Sequence, residues 1–306
     1  TRTYLYQLTM RDTGAMSNTN ADYYVPHSSH WPITATVAIF TMFVGGANFL
    51  NGGEVGVYIL AIGFALFVYM LFGWFGTVIG ESEAGTFNGQ VDISFRMGMV
   101  WFIFSEVMFF AAFFGALYYA RMYSVPWLGG EGSGAATNQF LWPEFATAWP
   151  LLQLPEAYAF STFKETIGAW GVPFYNTMIL LTSGATCTWA HWGLKIGSRK
   201  HLIAGLSVTV ALGIIFVIMQ AVEYGHAYNE LGLTLNSGIY GATFFLLTGF
   251  HGFHVTMGTI MLATILGRCI KGHFTHERHF GFEACAWYWH FVDVVWIGLF
   301  IFVYWI

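Results

Sequence analysis

The stretch FRMGMVWFIFSEVMFFAAFFGALYYAR, residues 95–121, decides how the rest of the chain is read. Residues 97–119 are apolar for the length of a membrane span, which needs about 20 such residues. Glu106 sits near the middle, with apolar residues on both sides. A charged side chain at the bilayer centre costs at least about 2.5–3.5 kcal/mol on insertion scales. Glu106 is therefore expected to be protonated, paired to another helix, or both. Two roles stand open: a neutral carboxyl that hydrogen-bonds for helix packing, and a working proton site.

Composition extends that reading to the whole chain. Of 306 residues, 56% are hydrophobic, 20% aromatic and only 9% charged. A soluble domain carries roughly 25% charged residues, so an integral membrane protein is expected. A net charge of −5, thinly spread, argues against a nucleic-acid partner. Cys187, Cys269 and Cys285 lie far apart, with neither CxxC nor zinc-like Cys/His spacing, so no disulfide framework or iron–sulfur site is expected. Residues 1–30 are polar and hold no hydrophobic region of a cleavable signal.

Seven apolar stretches follow a polar arm at 1–31, at about 33–50, 55–78, 96–120, 172–193, 202–224, 239–267 and 283–305. Unbroken apolar runs predict helices, because barrel strands would alternate. A single all-α membrane domain over 1–306, with no internal repeat, is expected. The connection at 51–54 is short, so the first two helices form a hairpin. Residues 80–94 read as a polar loop. The longest loop, 123–171, holds Trp127, Trp142, Trp149 and Trp170 and suits the headgroup layer. Placing the N-terminus inside puts nine of the 11 Lys and Arg residues on the inner side, leaving Arg121 and Lys164 outside. The positive-inside rule then predicts N-in and C-out. Small residues (Ala112, Gly115 and Ala116; Ser183, Gly184 and Ala185; Gly249, Gly252 and Gly258) predict one tight bundle of helices three to seven. Helices one and two, with Gly45, Gly46 and Gly63, are expected to pack more loosely.

Intramembrane polar groups are few. Helix six reads TGFHGFHVTMG, with His251 and His254 on one face. Such a pair suits a metal or haem, or packing against a carboxyl; a second helix with matching histidines is missing, and a pairing of His254 or His251 with Glu106 is favoured. Helix seven reads HFGFEACAWYWHFVDVVW, where Glu283, His290 and Asp293 form a polar seam. A seam that fixes helix register is favoured over a proton relay. Glu223 and His226 read as a hydrated helix end. His201, His273, His276 and His279, among Lys and Arg, suit proton exchange, lipid phosphate, or simply a solvated loop. No nucleotide-binding loop, Ser-His-Asp order or HExxH is present.

Several long motifs converge. SEVMFF (105–110), VPFYNTMILLTSGATCTWAHW (172–192), QAVEY (220–224), YGATFFLLTGFHGFHV (240–255) and the helix-seven run (279–296) resemble subunit III of haem–copper cytochrome c oxidases, in the family's order. The resemblance covers nearly every helix. It implies seven helices, with the first two set apart from the other five by a V-shaped, lipid-filled cleft. It also implies a non-catalytic subunit of a proton-pumping enzyme that passes electrons from cytochrome c to oxygen. Haem and copper would belong to the catalytic subunit I and to subunit II; this chain would bind no metal, only structural phospholipids. Its implied work is to stabilise the catalytic subunit, sustain proton uptake and give oxygen access. Glu106 matches the family's carbodiimide-reactive buried carboxyl. Glu81, Arg268 and Lys271 match its lipid-holding residues, although Gly80 stands where many relatives have Arg, and Glu83 falls in a short insertion. The long outer loop points to a bacterial plasma membrane, and the first two helices favour cytochrome c over quinol as donor. Two other readings compete: an independent transporter coupled through Glu106, His254 and Glu283, and a haem cytochrome ligated by His251 and His254.

Overall fold

In lipid every backbone N–H and C=O must find its partner within the protein, so an apolar run of span length becomes a helix. The computed structural model describes residues 24, 25, 28–155 and 159–306. The arm with Arg2 and Arg11, and also Pro26 and His27, lies outside the described residues. Seven long helices carry the fold: α1 (Trp31–Leu50), α2 (Gly56–Glu83), α3 (Gly89–Tyr119), α4 (Val172–Lys195), α5 (Arg199–His226), α6 (Gly238–Lys271) and α7 (Phe280–Leu299). Among the described residues no strand occurs. Six of the seven are apolar enough to cross a membrane by composition alone. The exception is α4, whose run is broken by Asn176, Thr177, Thr182, Ser183, Thr186 and Thr188. The Thr177, Thr182 and Thr188 hydroxyls each donate to the carbonyl four residues back.

Helix ends follow local chemistry. Pro32 and Pro173 occupy the first turns of α1 and α4, where a missing N–H is harmless. At its C-terminus α6 stops at Gly272, which takes the left-handed φ of +82°. Arg268 and Lys271 in its last turn face the negative end of the helix dipole. The helices outrun their apolar cores. Thus α2 continues through Glu81 to Glu83, and α3 resumes at Gly89, so most of the expected 80–94 loop is helical. Polar side chains at the headgroup level are solvated without unwinding the backbone, which keeps its own hydrogen bonds. Glu83 is accordingly a helical residue.

The chain falls into two compact units, Thr1–Phe95 and Arg96–Ile306. In the first, α1 and α2 pack closely, not loosely as their composition suggested. A Cβ on Gly45 would strike the Leu60 backbone, and one on Gly63 the Met42 backbone. Gly46, next to Gly45, faces open space.

In the second unit Trp289 and Trp296 of α7 are fully buried at the centre, with Phe216 and Phe244. Gly213 of α5 and Gly258 of α6 make room for the Trp289 ring. Each indole N–H is used: Trp289 donates to Ser183 at 3.0 Å, and Trp296 to Thr177 at 2.9 Å. The expected tight bundle holds for α4–α7 but not for α3. Gly115 of α3 meets nothing, and α3 reaches its neighbours through long aromatic side chains, Phe109 on Phe250 (4.9 Å) and Phe110 on Phe291 (6.0 Å). The long loop is partly ordered: short helices Val125–Leu128 and Ala135–Leu141 are tied by the Asn138 amide, which donates to the Leu128 and Trp142 carbonyls. Further along, Phe163 is buried and stacks on Tyr240.

Candidate functional site

Four polar clusters lie in the second unit. At mid-span, α3 and α6 bring Glu106 and His254 together, Oε2 to Nε2 at 2.9 Å. The His254 Nδ1 lies 2.6 Å from the Phe250 carbonyl. A carbonyl only accepts, so Nδ1 carries a proton. The Nε2–Oε2 contact then needs one further proton, held by either the carboxyl or the imidazole. Both arrangements leave the pair with zero net charge, which removes most of the cost of placing it among apolar groups. Phe109, Phe110 and Tyr288 frame the imidazole. The Glu106 side chain keeps 22% exposure; Trp101, Phe104 and Met108 point outward from the other side of α3.

His251 turns elsewhere. Its Nε2 donates to the Val292 carbonyl of α7 at 3.2 Å, and its ring lies against Trp296 and Phe216. The two histidines of α6 therefore serve different neighbours and do not converge on one ligand.

The helix-seven seam divides. His290 Nδ1 faces Asp293 Oδ2 at 3.3 Å, and its Nε2 faces Thr188 Oγ1 of α4 at 3.2 Å. The Asp293 carboxyl lies over Gly184, where a Cβ would collide with it. Glu283 belongs to a separate group at the basic end of the unit. One carboxylate oxygen takes Arg96 of α3, and the other faces His279 Nε2 at 3.1 Å and His191 Nε2 at 3.5 Å. Two helical turns separate Glu283 from His290, enough for each to meet a different neighbour. His279, grouped by sequence with the histidines of the inner surface, is 8% exposed. Among the described residues, His191, His279 and Glu283 are the group whose ligand atoms converge closely enough for a metal ion.

The fourth cluster was not expected. Glu223 of α5 is 2% exposed, not at a hydrated helix end. Its Oε1 accepts from Tyr304 at 2.6 Å and from the Gln220 amide at 3.1 Å. Beside it Tyr224 and Thr248 share a hydrogen bond of 2.7 Å. His226 turns away to the exposed Glu230. The QAVEY motif was the one sequence signal that set Glu223 apart from an ordinary helix end.

The three residues matched to lipid contacts fall in different units. Glu81, in the last turn of α2, accepts from the Tyr24 hydroxyl at 3.0 Å, a bond that raises the tyrosine pKa above its ordinary value. Arg268 lays its guanidinium over Phe274 at 4.4 Å, and Lys271 ends α6 exposed.

Seven long helices with intramembrane carboxyl–histidine pairs define a polytopic membrane protein that keeps protonatable groups within its core. The family model of cytochrome c oxidase subunit III matches residues 21–139 and 137–306. Proteins named cytochrome c oxidase subunit 3 are similar throughout. That of Prototheca wickerhamii is 41% identical over 280 residues, 90% of this chain and 94% of its own length. The Sus scrofa protein is 38% identical over 294 residues, 95% of this chain and 99% of its own, and the Arabidopsis thaliana protein is 38% identical over 284 residues. The chain belongs to the cytochrome c oxidase subunit III family, a subunit of the haem–copper oxidase.

Proposed function

We propose that this subunit is a non-redox core component that stabilises the catalytic subunit and sustains its proton uptake and oxygen access. The Glu106–His254 contact is the observation that carries the reading. It holds one exchangeable proton between two helices, at no net charge, with the Glu106 side chain 22% exposed. Its histidines also have other work, His254 on Glu106 and His251 on the Val292 carbonyl, which favours haem and copper lying in partner subunits I and II. Electrons would come from cytochrome c, and phospholipids would be held near Glu81 and near Arg268 and Lys271. The membrane would be a bacterial plasma membrane, N-terminus cytoplasmic and C-terminus periplasmic; the basic cluster of Lys195, Arg199, Lys200, Arg268 and Lys271 supports that orientation.

Substitution at Glu106 tests the role. In Glu106→Gln the amide N–H₂ donates to His254 Nε2, so the contact survives without its mobile proton. The complex should assemble at parent level and lose activity sooner during sustained turnover. Glu106→Ala leaves a buried imidazole unpaired, costing about 1–3 kcal/mol, and should lower assembly as well. Parent-like turnover lifetimes in both variants would reduce Glu106 to a packing group. A redox difference spectrum should show haem in the complex and none in this chain after dissociation.

A further inference from the structure

At the basic end of the second unit, three side chains share one point that the proposed function leaves unused. His191 lies near the end of α4, His279 directly precedes α7, and Glu283 is in its first turn. Glu283 Oε1 stands 3.1 Å from His279 Nε2 and 3.5 Å from His191 Nε2, and the three atoms lie within 4.8 Å of one another. A tetrahedral metal with bonds of about 2.0–2.1 Å spaces its ligands about 3.3–3.4 Å apart. The two separations bracket that spacing.

Proton placement points the same way. The His279 Nδ1 lies 3.0 Å from the Thr275 carbonyl, so it carries the ring proton. That leaves the His279 Nε2 aimed at the Glu283 oxygen. His191 Nε2, buried, is aimed at the same oxygen from beyond good hydrogen-bond distance. A metal ion at the shared point would take up all three atoms. The backbone carbonyl behind His279, and Arg96 on the other oxygen of Glu283, are the outer contacts that orient metal ligands.

We propose that His191, His279 and Glu283 form a three-ligand Zn²⁺ site, with the fourth position open to water, that joins the basic ends of α4 and α7. Two imidazoles and one carboxylate suit Zn²⁺ rather than the all-oxygen shells of Ca²⁺ or Mg²⁺. The Arg96 charge opposes a dication, so the site fills reversibly with added Zn²⁺.

The test uses the intact, chelator-stripped oxidase complex titrated with ZnCl₂, with zinc counted by mass spectrometry. The parent should take one more Zn²⁺ per complex than His191→Gln or His279→Gln, or bind it at least about tenfold more tightly, the smallest loss expected even for an outer-contact change. Equal stoichiometry and affinity in the parent and both variants would overturn the site. So would an anomalous difference map of the zinc-loaded parent without a peak between these three residues, a readout independent of how the variants fold.

Discussion

Glu106 and Glu223 are both carboxyls in an apolar bundle, and they are accommodated by different chemistry. Glu106 shares a proton with His254, whereas Glu223 takes two donors, Tyr304 and Gln220, on one oxygen. The Glu223 arrangement predicts an asymmetry between substitutions. Glu223→Gln keeps an acceptor for both donors and should change the thermal inactivation midpoint of the complex little. Glu223→Ala strands the Tyr304 hydroxyl and the Gln220 amide and should cost about 1–3 kcal/mol for each buried group left unpaired. Equal midpoints for the two variants would show that Glu223 is not paired in this way. The sequence placed Glu106 well inside a helix because nine residues of the apolar run 97–119 precede it and 13 follow. It misplaced Glu223, because a Glu and a His near a helix end look hydrated until the C-terminal helix arrives over them.

Helix-scale packing is decided by where small residues face, not by how many there are. Gly45 and Gly46 are neighbours in α1, yet a Cβ on the first meets the Leu60 backbone and one on the second meets nothing. Gly45→Ala should push α1 from α2 and cost about 1–3 kcal/mol. Gly46→Ala should be neutral or slightly stabilising, by up to about 1 kcal/mol, through helix propensity. Melting curves of the detergent-solubilised protein compare them directly, and equal shifts would refute the close α1–α2 contact. The same logic explains α3: its small residues predicted close packing, but Phe109 and Phe110 fill the space and hold it off. Helix lengths also escaped the apolar count. At 34 residues α6 is about 51 Å long, well beyond a hydrocarbon core of about 30 Å.

Across the whole molecule, basic residues gather at one end of the second unit while the ordered Trp-rich loop lies at the other ends of the same helices. The proposed orientation predicts which end reacts from outside. Cys187, Cys269 and Cys285 are all buried, so background thiol labelling should be low. In right-side-out vesicles a membrane-impermeant maleimide should label Gln139→Cys directly and His276→Cys only after permeabilisation. The reverse pattern would overturn the N-in topology.

Length, apolarity and the placing of charges determined the class of this protein from sequence alone: a helical membrane chain of seven spans, with Glu106 deep in the third and His251 and His254 in the sixth. Those are properties of position along one helix, fixed by a rise of about 1.5 Å per residue. Tertiary structure alone decided that His254, not His251, meets Glu106, that Glu283 leaves His290 for Arg96, His279 and His191, and that Glu223 is buried. Partner choice depends on how each helix is rotated and how far it stands from its neighbours. Those quantities are set by the Trp289 and Trp296 packing and by the glycines that admit it, through contacts between residues far apart in the chain.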